Sequence, residues 1–223
     1  MKISISGIRG IYGIDFSPSD VLRFCDGFSK LIKNGKCVIG RDTRKTGEMI
    51  EKLVSATMLE RGIDVQSLGI APTPVVFRKA KEVGAVIIIT SSHNPLEWNG
   101  LKFILEGRGI TEEELNIVRN ESNPNRPKIG KESIAKSNYI SDAVKVIGKL
   151  EQEKHVTVDV GGGAAKDVAP QLLKEIGCQV TTINDELDKC SRGPDPTADE
   201  LTELVSKTKD VGFAFDLDSD RVV

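Results

Sequence analysis

Two short runs in this 223-residue chain hold side chains whose types and spacing could do chemistry. The first is Thr90-Ser91-Ser92-His93-Asn94-Pro95, which sets hydroxyls, an imidazole and a carboxamide directly behind the apolar run at 85–90. Open α/β sheets place ligand sites beyond the C-terminal ends of such strands. Hydroxyls together with loop N–H groups make a concave anion site there. From local chemistry alone, the more economical reading is a polar turn, where Ser, Asn and Pro are expected anyway. A Ser-His-Asp hydrolase is disfavoured, because no G-x-S-x-G elbow is present and adjacent Ser and His side chains rarely converge. The other histidine, His155, begins a strand and reads as structural.

The second run is Asp216-Leu217-Asp218-Ser219-Asp220-Arg221. Residues two apart on an extended segment point the same way, so the three carboxylates converge. Three like charges at close range repel unless a cation lies between them, and hard oxygen ligands select Mg²⁺, Mn²⁺ or Ca²⁺. An EF-hand is excluded by Arg221 at the position that needs glycine, and a solvated acidic turn is the alternative. The apolar strand ahead of the run favours the metal.

Other segments carry less. Val158–Lys166 (VDVGGGAAK), with Asp185 beyond it, suggests a dinucleotide loop, but Lys166 stands where the fingerprint needs its third glycine. A tight strand-to-helix turn serves as well. Arg9, Arg41 and Arg44 are flanked by glycines, and each could clamp a phosphate or form a surface ion pair.

The elements that must position these residues alternate along the chain. Helical spacing runs over 17–35, 47–61, 133–150, 198–207 and up to 176 after the glycine loop, with a capping box at Thr111 and Glu114. Strand patterns fall at 36–40, 64–68, 85–90, 101–105, 155–160, 178–183 and 211–215. This alternation predicts an α/β protein of two consecutive domains, with mixed parallel sheets sandwiched between helices. The polar stretch 120–131 is the expected linker, dividing the chain into 1–130 and 131–223.

A formal net charge of −2 and 4% aromatic residues give no reason to expect nucleic acid as a partner. No apolar run approaches a bilayer span, and no signal-peptide core is present. Cys25, Cys37, Cys178 and Cys190 lack paired spacing and read as reduced thiols of a cytoplasmic protein. The chain stops where an apolar β-branched run begins, Val222-Val223, which suggests a piece of a longer protein.

Taken in order, SGIRG (6–10), GRDTRKTG (40–47), APTP (71–74), TSSHNP, WNGLK (98–102), VDVGGGAA (158–165) and DLDSDR resemble the α-D-phosphohexomutases, the phosphoglucomutases, phosphomannomutases and phosphoglucosamine mutases. The resemblance implies an isomerase that passes a phosphoryl group between phosphoserine and a phosphorylated hexose through a bisphosphate. It implies that Ser92 carries the phosphate and that Ser92, Asp216, Asp218 and Asp220 bind Mg²⁺. His93 and Lys102 would be acid and base candidates, and Arg9, Arg221 and Asn94 would contact phosphate. Ser4 and Ile5 depart from the usual Gly and Thr ahead of SGIRG, and Leu217 and Ser219 stand where small residues are usual. The family's sugar-reading third domain and phosphate-gripping fourth domain are not represented. The expectation is therefore an N-terminal half that lacks full turnover, with exposed domain faces that favour association. Two rival readings use the same residues: a metal-dependent phosphatase acting through Ser92, and a non-catalytic nucleotide-binding module.

Overall fold

The computed structural model describes residues 1–120 and 128–223, so that residues 121–127 of the expected linker lie outside the described residues. The first unit comprises β1 (Lys2–Ser4), β2 (Gly7–Ile11), α1 (Pro18–Ser29), β3 (Lys36–Arg41), α2 (Gly47–Glu60) and β4 (Asp64–Ile70). It continues with α3 (Thr73–Val83), β5 (Ala85–Ile89), β6 (Trp98–Leu105), β7 (Arg108–Gly109), α4 (Glu112–Arg119) and β8 (Glu132–Ile134). Beyond it come α5 (Tyr139–Ile147), β9 (His155–Asp159), α6 (Val168–Glu175), β10 (Gln179–Ile183), α7 (Thr202–Lys207) and β11 (Val211–Ala214).

Local chemistry accounts for the helix starts. Ser17 accepts from the Asp20 N–H while the Asp20 carboxylate accepts from the Ser17 N–H, and Pro18 fills the first turn. Thr111 and Glu114 form the same reciprocal cap at α4. Burial then assembles the layers. In β5, Ala85, Ile87 and Ile89 face a core shared with α1, α2 and α4, whereas Val86 and Ile88 face α3. A strand covered on both faces is apolar throughout, as β5 is.

The first sheet has the order β1-β2-β6-β5-β3-β4-β8, with β7 beside β6. Strands β5, β3, β4 and β8 run parallel, and β1, β2 and β6 join antiparallel. The second sheet, β10-β9-β11, is parallel. One of its faces packs on α5 and α6, and the other on α7 through Leu204. The mixed α/β sandwich is the expected fold. Among the described residues no helix is long and apolar enough to cross a membrane.

Three segments differ from expectation. The helix expected over 133–150 is confined to α5, and 132–134 instead form β8 on the edge of β4. The Ala135 N–H donates to the Ser67 carbonyl at 2.7 Å, so an otherwise open sheet edge takes this backbone out of the helix. The first sheet thereby reaches residue 134, four past the division expected after residue 130. The helix expected over 198–207 starts only at Thr202, because Leu201 adopts a left-handed φ of 52°. Strands β1 and β2 were not expected, since a short run with two glycines lacks a strand's composition.

Gly27 shows how tightly α1 seats on α4: a Cβ there would lie 2.1 Å from the Val118 carbonyl oxygen. Gly27→Ala is expected to destabilise the first unit by about 1–3 kcal/mol, read as a lowered urea midpoint in far-UV circular dichroism.

Candidate active site

The C-terminal ends of β3, β4, β5, β9 and β11 converge, bringing five loops of the two units into contact. Across this junction Thr43 Oγ1 donates to the Gly162 carbonyl at 2.6 Å, and the Thr73 N–H donates to the Asp218 carbonyl at 2.7 Å. Ser92 Oγ donates to Asp216 Oδ2 at 3.0 Å, so the two runs singled out above meet.

The serine loop is wrapped around Arg44. Its guanidinium, 1% exposed, donates to the carbonyls of Ser92 (2.7 Å), Asn94 (2.7 Å), Trp98 (2.9 Å) and Pro95, and its Nε bonds Asp42 Oδ2 at 3.0 Å. Arg44 is thus neither a phosphate clamp nor a surface pair: a buried cation surrounded by loop carbonyls has no donor left to offer. Arg41 pairs with Glu51 at 2.8 Å. Asp42 also accepts from Thr90 Oγ1 at 2.7 Å, and Thr90 Oγ1 accepts from the Ser92 N–H at 2.8 Å. This network holds Ser92 at a left-handed φ of 53°. Strain of this kind persists only where the surroundings over-determine it, and it gathers at functional sites.

Asp216, Asp218 and Asp220 each offer an oxygen within 4.8 Å of the others. Asp218 Oδ1 is buried without a hydrogen-bond partner, while Oδ2 accepts from Thr73 Oγ1 (2.8 Å) and Lys102 Nζ (2.7 Å). A buried carboxylate oxygen without a donor, beside two more carboxylates, fits a hard cation. Lys102 also bonds Asp220 at 2.8 Å, so its ammonium supplies the positive charge among them. Burial disfavours the Lys102 ammonium, but Asp218 and Asp220 outweigh it and raise its pKa. Burial and then repulsion from Asp218 and Asp220 push Asp216 up to about 7. For Asp218 burial acts in the same sense, but Lys102 outweighs it and lowers the pKa. Ser219, one of the two positions where small residues are usual, closes the turn at a φ of 60°.

The glycine loop has a packing role. A Cβ at Gly163 would sit 2.8 Å from the Leu217 carbonyl and 3.0 Å from that of Asp216, and the Ala164 N–H donates to Leu217 at 2.9 Å. Gly163 thus admits the aspartate loop's backbone, and this close approach removes the ground for a nucleotide-binding module. Asn94 turns its carboxamide into its own loop, donating to the Ser91 carbonyl at 2.8 Å. His93 Nδ1 lies 3.3 Å from Ser92 Oγ. Burial, then the Arg221 and Arg9 cations, pull its pKa below the ordinary value against Asp195. Arg9 lines a cleft of about 780 Å³ with Thr73, Lys102 and Asp220, and its Nε is buried without a partner. Arg221 is exposed, and its N–H donates to Asp216 Oδ1 at 3.2 Å. Sequence reasoning missed Thr73 as a partner of Asp218, although the APTP run that marks it was noted.

Comparison with known proteins gives concordant matches. Residues 1–128 match the family described as phosphoglucomutase/phosphomannomutase, alpha/beta/alpha domain I, and residues 137–223 match domain II of that family. A phosphoglucosamine mutase of Alkaliphilus metalliredigens is 35% identical over 97% of this chain and 53% of its own length. One from Helicobacter pylori is 34% identical over 100% of this chain and 56% of its own. The crystal structure of a phosphoglucomutase/phosphomannomutase family protein from Burkholderia thailandensis superposes with a TM-score of 0.82 at 26% identity, covering 99% of this chain and 54% of that one. The chain therefore spans about half the length of the relatives it matches.

Two outcomes test this geometry. Arg44→Met leaves Asp42 buried and unpaired and is expected to cost about 3–5 kcal/mol in denaturant unfolding, with Arg44→Lys falling between. The second concerns pH. Between 3.8 and about 7, folded Asp216 keeps a proton that the unfolded chain has released. Its contribution to stability therefore falls as pH rises through that window. In chelator, the melting temperature of the unaltered chain relative to Asp216→Asn should drop from pH 5 to pH 8, and a flat difference would refute the assignment.

Proposed function

Because the chain belongs to the phosphoglucomutase/phosphomannomutase family, we propose that the paired loops form the phosphoryl-transfer centre of a phosphohexomutase, with Ser92 as the phosphate carrier. The observation that carries this reading is the approach of Ser92 Oγ to 3.0 Å from Asp216, beside Asp218 with its unpartnered buried oxygen. Asp216, Asp218 and Asp220, with an oxygen from Ser92, are the ligands we assign to Mg²⁺. When bound, such an ion neutralises charge on the phosphoryl oxygens, where most of the catalytic benefit in this chemistry lies.

The protein's own groups supply the rest. To take up a phosphoryl group, Ser92 must lose its proton, and Asp216 Oδ2 (3.0 Å) and His93 Nδ1 (3.3 Å) are both within reach. The lowered pKa of His93 keeps its imidazole neutral near pH 7, as an acceptor requires. Lys102, held protonated by Asp218 and Asp220, is poised as a donor and fixed positive charge. It becomes a base only where those carboxylates are drawn to another cation. Arg9 and Arg221 are the cations we assign to the phosphate oxygens.

We assign a phosphorylated hexose as substrate, with hexosamine phosphates first among candidates because relatives are named phosphoglucosamine mutases. The full mutase cycle is assigned to an architecture of the relatives' length, since gripping the remote phosphate needs groups that these domains do not supply. The buried thiols of Cys25, Cys37 and Cys178 accord with a reducing compartment such as the cytoplasm.

After incubation with a hexose 1,6-bisphosphate and Mg²⁺, intact-mass spectrometry should find one added phosphoryl group, absent in Ser92→Ala. Phosphate on another residue, or none, would overturn the assignment. The 223 residues alone are expected to give no detectable conversion of glucosamine 6-phosphate to the 1-phosphate in a coupled assay.

A further inference from the structure

The geometry points to Arg192 as a positioning residue for the aspartate loop, acting through the backbone from which Asp216 projects. The inference rests on the metal-binding reading above and adds a residue that touches neither substrate nor metal. Arg192 Nε bonds Asp159 Oδ2 at 2.9 Å, and the two side chains are only 4% and 2% exposed. Its Nη2 donates to the carbonyl of Phe215, the residue before Asp216, at 2.6 Å, and its Nη1 to the Gly193 carbonyl at 3.0 Å. The other oxygen of Asp159 accepts from the Gly161 N–H at 2.9 Å, and the Asp159 carbonyl accepts from the Phe215 N–H at 3.0 Å. One planar cation thus ties together the end of β9, the glycine loop and the residue that leads into the carboxylates.

The arrangement repeats the device of the first unit. There a buried Arg44–Asp42 pair at the end of β3 shapes the serine loop; here Arg192–Asp159 at the end of β9 shapes the aspartate loop. Apolar residues of similar volume usually serve stability as well as a buried ion pair does. What the pair adds is direction: a rigid fork reaches a carboxylate and a carbonyl at fixed angles, which the single ammonium of lysine does not. A Cβ at Gly161 would lie 2.6 Å from Arg192 Nη2, so the fork also occupies the space that this glycine leaves open.

The test is Mn²⁺ binding by the 223-residue chain, followed by the electron paramagnetic resonance signal of the free ion. Arg192→Lys should keep the far-UV spectrum and weaken Mn²⁺ affinity about tenfold or more, the usual effect of losing a group that orients metal ligands. Gly161→Ala, which crowds the guanidinium without removing charge, should shift affinity in the same direction and guards against an unfolded Arg192→Lys. Val156→Ala, a buried loss at the opposite end of β9, should lower the melting temperature and leave affinity unchanged. If the unaltered chain binds but Arg192→Lys binds equally well, the inference fails alone. Equal weakening in Val156→Ala would also overturn it, because the effect would then follow stability. No binding by the unaltered chain would overturn the metal reading and this inference together.

Discussion

A guanidinium taken out of water must recover its hydration from the groups around it, and Arg44 recovers it from one carboxylate and four backbone carbonyls. All four carbonyls belong to the segment between Ser92 and Trp98. The loop cannot relax toward an ordinary turn without leaving a buried charge unpaired. That obligation holds Ser92 at a positive φ and turns its hydroxyl toward Asp216, and the remaining geometry of the site follows from it. Asp42 serves both sides of the arrangement, since it neutralises Arg44 and accepts from Thr90, whose hydroxyl in turn receives the Ser92 N–H. Burial pushes the Asp42 pKa up, although Arg44 opposes it, so the pair depends on its hydrogen bonds.

Facing this well-compensated cation is a cluster with the opposite problem. Three carboxylates lie close together, and the charges nearest them are insufficient. Lys102 neutralises Asp218 and Asp220, burial and the neighbouring carboxylates raise the Asp216 pKa to about 7, and Asp218 Oδ1 has no donor. The serine loop is locally satisfied and the aspartate loop is electrostatically incomplete, which is the asymmetry expected of a carrier loop set against a cation site. Ser92 to Asp216 joins the two loops directly, and beside them Thr43 to Gly162 and Thr73 to Asp218 tie the two units together.

The family of the chain and the share of its relatives that it covers fit this division of labour. Two α/β units suffice to present a hydroxyl to a cluster of carboxylates. Reading a sugar and holding its far phosphate call for groups beyond those loops, and binding energy from such remote contacts is what speeds a transfer. The proposed assignment of the carrier and the cation to these residues accords with where the chemistry-bearing side chains lie.

Much of this was legible in the chain. The continuous apolar run at 85–89 read as a strand buried on both faces, and the helical spacing over 17–35 marked α1; both are consequences of local geometry. The alternation of Asp216, Asp218 and Asp220 marked the carboxylates as one group, although a turn closed at Ser219, not the extended segment expected, brings them together; TSSHNP after a strand marked a sheet's C-terminal edge. Other features depend on partners far along the chain. Strand β8 exists because β4 offers an open edge, and the 130s carry no strand pattern of their own. The glycines of 161–163 read as a nucleotide loop until Gly163 is seen packed against the aspartate loop and Gly161 against Arg192. Arg44 read equally as a phosphate clamp or a surface ion pair, and Arg192 drew no reading, because nothing in their sequence neighbours reveals burial. A side chain's hydration is decided by what folds over it, so only the tertiary structure could turn two ordinary arginines into the groups that shape the site.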